Sequence, residues 1–276
     1  MTITPCLLSF VLSLSLSAAT VDGLSIHSSV TGKGPKTVIL VHGWTCDETT
    51  WTEQVLVLAK QYRVVTLDLP GHGKSDSPAD GKFSMDLFAR AVEAVRAEVG
   101  ANQVVLVGHS MGTPVVVRYA RLYPRHTAAL VFVDGLMANA PNPGPAGGAP
   151  PNIGGIMGGP NGPRNRENMV RGMFSASTTP ALQTKILNMM LGAPEATAVG
   201  AMNATFDPAG QTNDALAMPA LGIYADGSRI ATRESVLAHF PNAEYTQIPA
   251  TGHFLMLEKP VEFNSLLLAF LAKQPN

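Results

Sequence analysis

The chain has 276 residues, 46% of them hydrophobic and only 14% charged. That is enough apolar material for one large core, and no repeat or second sheet pattern suggests another domain. Nineteen basic residues against twenty acidic ones give a net charge of −1; with no basic stripe, this argues against nucleic acid or an anionic membrane as partner and for a small, uncharged or weakly charged ligand.

Met1 to Thr20 carries no charged side chain and ends near the small residues Ser17-Ala18-Ala19, the pattern of a secretory signal. Its apolar run, Leu7 to Ala19, is shorter than the roughly 20 residues of a membrane-spanning helix. No membrane anchor is expected, and the chain reads as exported to periplasm or exterior, or as cytoplasmic if the leader is not used. Cys6 would leave with that leader, so Cys46 remains as a small buried hydrophobe, with no intrachain disulfide or cysteine metal cluster.

Leu24 to Val30 reads as an edge strand. Thr37-Val38-Ile39-Leu40-Val41 reads as a central strand that opens into His42-Gly43-Trp44. Tyr62 to Leu67 is another apolar strand, and Asp68 to Asp76 follows as a loop dense in turn formers. Gly73-Lys74-Ser75 imitates a phosphate loop, but the glycine required five positions before Gly73 is Asp68. Ser84 to Val99 is a helix with Phe88, Val92, Val95 and Val99 on one face, capped by Ser84 and ended by Gly100.

Val104-Val105-Leu106-Val107 is an unbroken apolar run, the habit of a parallel strand covered by helices on both faces. It stops at Gly108-His109-Ser110-Met111-Gly112, and the apolar segment Thr113 to Leu122 follows, with Pro114 tolerated in its first turn. Strand, G-x-S-x-G and helix in this order form a nucleophile elbow, with Ser110 exposed on a strained turn. In such a site one oxyanion donor is the backbone N–H after the nucleophile and the other comes from an earlier strand's loop, so the candidates are the amides of Met111 and Trp44.

Leu130 to Val133 is a strand ending in Asp134, and Leu221 to Ala225 one ending in Asp226. Between them Gly135 to Met218 breaks the strand pattern and reads as an inserted cap. Its Pro141 to Pro163 stretch holds seven prolines and eight glycines and no charge, too irregular for a helix. Glu167 to Phe174 and Leu182 to Leu191 read as helices carrying Met169, Met173, Met189 and Met190, either core filler or an adaptable pocket roof. Tyr245 to Pro249 is a last strand delivering Thr251-Gly252-His253, and a closing helix from Pro260 turns Phe263, Leu267 and Phe270 to the sheet.

The ordered set His42-Gly43-Trp44, Asp68 to Asp76, Gly108 to Gly112 and Thr251-Gly252-His253 resembles the α/β-hydrolase superfamily, over residues 22 to 135 and 218 to 272. The resemblance implies an α/β fold, a mostly parallel eight-stranded sheet flanked by helices, and a serine nucleophile, acid and histidine base in the order Ser…Asp…His. Ser110 then serves as nucleophile and His253 as base. The acid is Asp134 in preference to Asp226, because the position some three residues beyond the later strand's usual glycine, itself replaced by Ala225, is filled by Ser228. Trp44, Met137 and Met173 are the expected substrate contacts. The expected reaction is hydrolysis of a small, mostly apolar carboxylic ester through an acyl-enzyme, with no metal or organic cofactor. A ligand-binding protein of the same fold with little turnover, a carbon–carbon hydrolase and a perhydrolase are the alternatives. The oligomeric state stays open.

Overall fold

Among the described residues nine strands form in chain order: Ala19–Val21 (β1), Leu24–Ile26 (β2), Ser28–Thr31 (β3), Thr37–Val41 (β4), Arg63–Leu67 (β5), Val104–His109 (β6), Thr127–Val133 (β7), Ala220–Ala225 (β8) and Ala243–Ile248 (β9). They belong to a computed structural model that describes residues 19–136, 153–207 and 214–274. The seven strands from β3 onward make one sheet in the order β3-β5-β4-β6-β7-β8-β9, parallel except where β3 meets β5. β4, β6 and β8 are buried at every position, as expected of strands covered on both faces.

The expected eight-stranded sheet is therefore a seven-stranded one beside a separate β1-β2 pair among the described residues. The expected edge strand is broken at His27. There the backbone leaves the ladder: the His27 N–H donates to Ser75 Oγ at 2.9 Å and its carbonyl accepts from the Asp68 N–H at 3.0 Å. Ala19 and Thr20, the end of the expected leader, belong to β1, with Ala19 buried; residues 1–18 lie outside the described residues.

Thr52–Leu58 (α1), Met85–Glu98 (α2) and Gly112–Leu122 (α3) form around the first strands, with α2 packed on α3. Ser84 caps α2 by accepting from the Leu87 N–H. After the insertion come Arg233–His239 (α8), Leu255–Glu258 (α9) and Pro260–Lys273 (α10), where α10 packs on α1 and buries Phe263, Leu267 and Phe270. We number the insertion helices Ile153–Ile156 (α4), Gly162–Arg171 (α5), Pro180–Leu191 (α6) and Glu195–Phe206 (α7), in their place between β7 and β8.

The insertion is more regular than its composition suggests. Within the Pro/Gly stretch, read above as too irregular for a helix, α4 forms by packing along α7, and Pro163 opens α5 in the first turn, where a missing N–H leaves no bond unmade. α7 was absent from the expected elements. It is mostly Ala, Gly, Thr and Val, with Met202 and Phe206 as its large apolar residues, so it carries no clear apolar stripe for a sequence reading to find.

Candidate active site

The elbow forms because β6 and α3 approach closer than side chains allow. A Cβ on Gly112 would lie 2.5 Å from the Val41 carbonyl oxygen, and one on Gly108 would collide with the Gly112 carbonyl. Between these glycines Ser110 is forced to φ 54°, a left-handed conformation that an L residue adopts under strain. Two bonds hold it there: the Ser110 N–H donates to the Val133 carbonyl at 2.9 Å, and its carbonyl accepts from the Thr113 N–H at 3.0 Å.

The strand that anchors the elbow also delivers Asp134, the preferred candidate for the acid. Asp134, the residue after β7, takes φ 41° and donates its N–H to the Ile223 carbonyl at 3.0 Å. One carboxylate oxygen accepts from the Ala225 N–H at 3.1 Å and the other lies 2.7 Å from His253 Nδ1. Burial pushes this carboxyl up, but His253, the Ser228 hydroxyl and the Ala225 amide outweigh it and hold it below the usual range. Asp134 is thus ionised at neutral pH and can only accept, so Nδ1 carries a proton and Nε2 is the nitrogen turned away from the carboxylate. Asp226 is exposed on the rim of the same cavity; the carboxylate joined to His253 is Asp134.

His253 is held from three sides. Its N–H donates to the Met173 carbonyl of the insertion at 3.0 Å, and its carbonyl accepts from His109 Nε2 at 2.9 Å. Burial, and then the neighbouring His253, push the His109 imidazole down to about 3, so it stays neutral and donates. The third support is Glu258 at the end of α9, whose carboxylate accepts from the Gly252 N–H at 2.6 Å and from the hydroxyls of Ser175 and Thr178 at 2.9 and 2.6 Å. Neither Glu258 nor His109 was singled out from sequence. An acid on a four-residue helix and the variable residue of G-x-S-x-G carry no pattern of their own.

Ser110, Asp134 and His253 line one cavity of about 550 Å³, together with Trp44 and Met111. The Trp44 and Met111 N–H groups have no hydrogen-bond partner among the described residues. Of the four methionines on the two helices expected from sequence, Met169 and Met173 line the cavity. Met189 instead accepts from Thr49 and Thr50, and Met190 is buried in the core. Met202 and Phe206 of the unexpected α7 complete the apolar wall, and the Trp44 indole N–H is tied to that helix at the Ala198 carbonyl, 2.8 Å away. Met137, expected as a substrate contact, lies outside the described residues. Arg229 reaches the rim, whereas Arg171 pairs with Glu167 and Lys185 donates to Thr52. His27, Glu48 and Asp68 also come close together, but none lines the cavity; Lys74 Nζ sits 3.0 Å from Glu48, and the Glu48 and Lys74 N–H groups donate to Asp68.

A model of the alpha/beta hydrolase family matches residues 38–266. A 2-hydroxy-6-oxononadienedioate/2-hydroxy-6-oxononatrienedioate hydrolase of Paraburkholderia phymatum is 29% identical over 269 residues, covering 91% of this chain and 92% of its own. A putative non-heme chloroperoxidase of Synechocystis sp. is 30% identical over 275 residues, covering 92% and 96%. Among solved structures, a thermophilic esterase from Thermogutta terrifontis superposes with a TM-score of 0.78 at 25% identity, covering 95% of this chain and 98% of that one.

Proposed function

The chain belongs to the α/β-hydrolase family, and on that premise we propose that it cleaves a small, mostly apolar carboxylic ester through an acyl-enzyme on Ser110. His253 Nε2 takes the hydroxyl proton as Ser110 Oγ attacks the ester carbonyl. The Trp44 and Met111 amides receive the oxyanion, and Asp134 stabilises the imidazolium. His253 then protonates the departing alcohol, activates a water, and the acyl group leaves as a carboxylic acid. The observation that carries this reading is the buried, ionised Asp134 at 2.7 Å from His253 Nδ1, in the same cavity as a strained serine and two unused amides.

The test is hydrolysis of p-nitrophenyl esters together with fluorophosphonate labelling. Wild type should do both, and Ser110→Ala should lose on the order of 10⁶ in kcat. A wild type that binds esters without labelling or turnover would instead be a ligand-binding protein. The name of the Paraburkholderia relative supports a second reading, water-dependent carbon–carbon cleavage of a dicarboxylate, with Arg229 at the rim as the group that would meet a carboxylate. Turnover of a vinylogous 1,5-diketone acid with no ester hydrolysis would favour it. Export through the apolar leader is proposed from the sequence alone, and periplasmic or secreted recovery of the full chain tests it.

A further inference from the structure

His42 lies outside the cavity, is fully buried, and has a role in neither proton transfer nor substrate contact. Its Nδ1 is 2.8 Å from the carbonyl oxygen of the next residue, Gly43. A carbonyl can only accept, so Nδ1 carries the proton. Nε2 is then bare, and it accepts from the Leu69 N–H at 3.0 Å. A single neutral tautomer satisfies both ring nitrogens.

The Gly43 carbonyl also accepts from the Cys46 N–H at 3.2 Å, closing a turn in which Thr45 takes φ 52°. The Gly43–Trp44 peptide is trans, so its N–H points away from its C=O. Two donors on the oxygen therefore fix the direction of the Trp44 N–H at the far side of the same plane. That plane stands against the nucleophile: a Cβ on Gly43 would lie 2.9 Å from Ser110 Cβ. Glycine at 43 permits this approach but leaves the peptide free to rotate, and some other group must stop it.

The geometry points to His42 as the positioning residue of the oxyanion site: by donating Nδ1–H to the Gly43 carbonyl it aims the Trp44 N–H at the oxyanion formed on Ser110. This rests on the serine-hydrolase reading above. Among the described residues no other group takes that proton, and the tie between β4 and the loop after β5 runs through Nε2 and Leu69.

Two substitutions separate the ring's two bonds. The amide nitrogen of asparagine superposes on Nδ1, so His42→Asn keeps the donor to Gly43 and loses the acceptor for Leu69. Glutamine reaches the Nε2 position, so His42→Gln keeps the acceptor and loses the donor. Removing an oxyanion donor costs about 10²–10³ in kcat, so His42→Gln should lose at least about 30-fold in kcat with KM within about twofold, and affinity for an alkyl boronic acid should fall in parallel. His42→Asn should stay within about fivefold of wild type even if its Tm is the lower of the two. The reverse order, or two losses that follow Tm, would show that His42 only joins two segments and would overturn the inference. Should neither variant fold, histidine-selective nitrogen NMR of the wild-type enzyme decides: a protonated Nδ1 and bare Nε2 are expected at neutral pH, and the opposite tautomer overturns the inference. A wild type that neither hydrolyses esters nor takes the fluorophosphonate label refutes the serine-hydrolase reading itself. An active wild type with reversed variants refutes only the role of His42.

Discussion

Replacing Asp134 by asparagine tests the site at the one bond that distinguishes it from a chance cluster. The amide nitrogen can take the place of the oxygen 2.7 Å from His253 Nδ1. A donor would then face Nδ1, the imidazole would shift its proton to Nε2, and the atom meant to receive the Ser110 proton would already hold one. The expected loss is about 10⁴ in kcat, or about 5.4 kcal/mol at about 1.36 kcal/mol per decade. Asparagine tolerates the φ of 41° at this position, and its amide oxygen can still accept from the Ala225 N–H, so the chain should fold. The stability lost is that of one charge-assisted bond, about 1.5–3 kcal/mol, or a Tm lower by about 3–10 °C for a chain of this size. That difference has a pH signature. Because the folded-state carboxyl is held below its ordinary value, its contribution is present above the unfolded carboxylate pKa of about 4 and disappears as pH falls through the lower folded value, so the two Tm curves converge in acid. kcat on a p-nitrophenyl ester and calorimetry from pH 7 to pH 3 measure both effects. If Asp134→Asn kept more than about a tenth of wild-type kcat, or Asp226→Asn produced the 10⁴ loss instead, the assignment of the acid would be wrong.

Glu258→Ala should lower Tm by about 4–8 °C and kcat by about tenfold or more, because the Gly252 N–H, Ser175 and Thr178 all lose their acceptor and the His253 loop loosens; an unchanged kcat would show that Met173 and His109 hold the loop without it. Cys46 is buried and its thiol is pushed up to about 12, so iodoacetamide should leave it unmodified in the native chain at pH 8 and alkylate it only after unfolding. A panel of neutral acyl esters and a dicarboxylic half-ester should favour the neutral chains, since neither Arg171 nor Lys185 lines the cavity; a half-ester preference abolished by Arg229→Gln would instead make the rim arginine a carboxylate contact.

The central strands and the elbow were legible because parallel strands covered on both faces appear as unbroken apolar runs, and because the glycines at 108 and 112 answer a steric demand that no other residue meets. The candidate acid was only half legible. Asp134 and Asp226 each follow a strand, and what separates them is three-dimensional: the left-handed backbone at 134 and the Ala225 amide facing its carboxylate. Ser228, noted in the sequence as filling an expected acid position, proves to be a neighbour that helps keep Asp134 ionised. The insertion was least legible. α4 exists through contact with α7, and α7 has no polar face to give it a period. His42 hid for a related reason: a buried histidine with both nitrogens satisfied looks the same in sequence whether it fills space or orients a peptide.

The bond from the His253 N–H to the Met173 carbonyl sets a limit on how this scaffold can be modified. Insertions in such folds invite exchange, since replacing a cap is the direct way to install a new pocket. Here the segment from Met173 to Thr178 also holds the histidine loop, through that carbonyl and through Glu258. A graft whose junction falls inside it would shift His253 along with the pocket. Junctions before Val170 and after Thr179 would leave the loop's supports in place, and a chimera so designed can change what enters the cavity without moving His253.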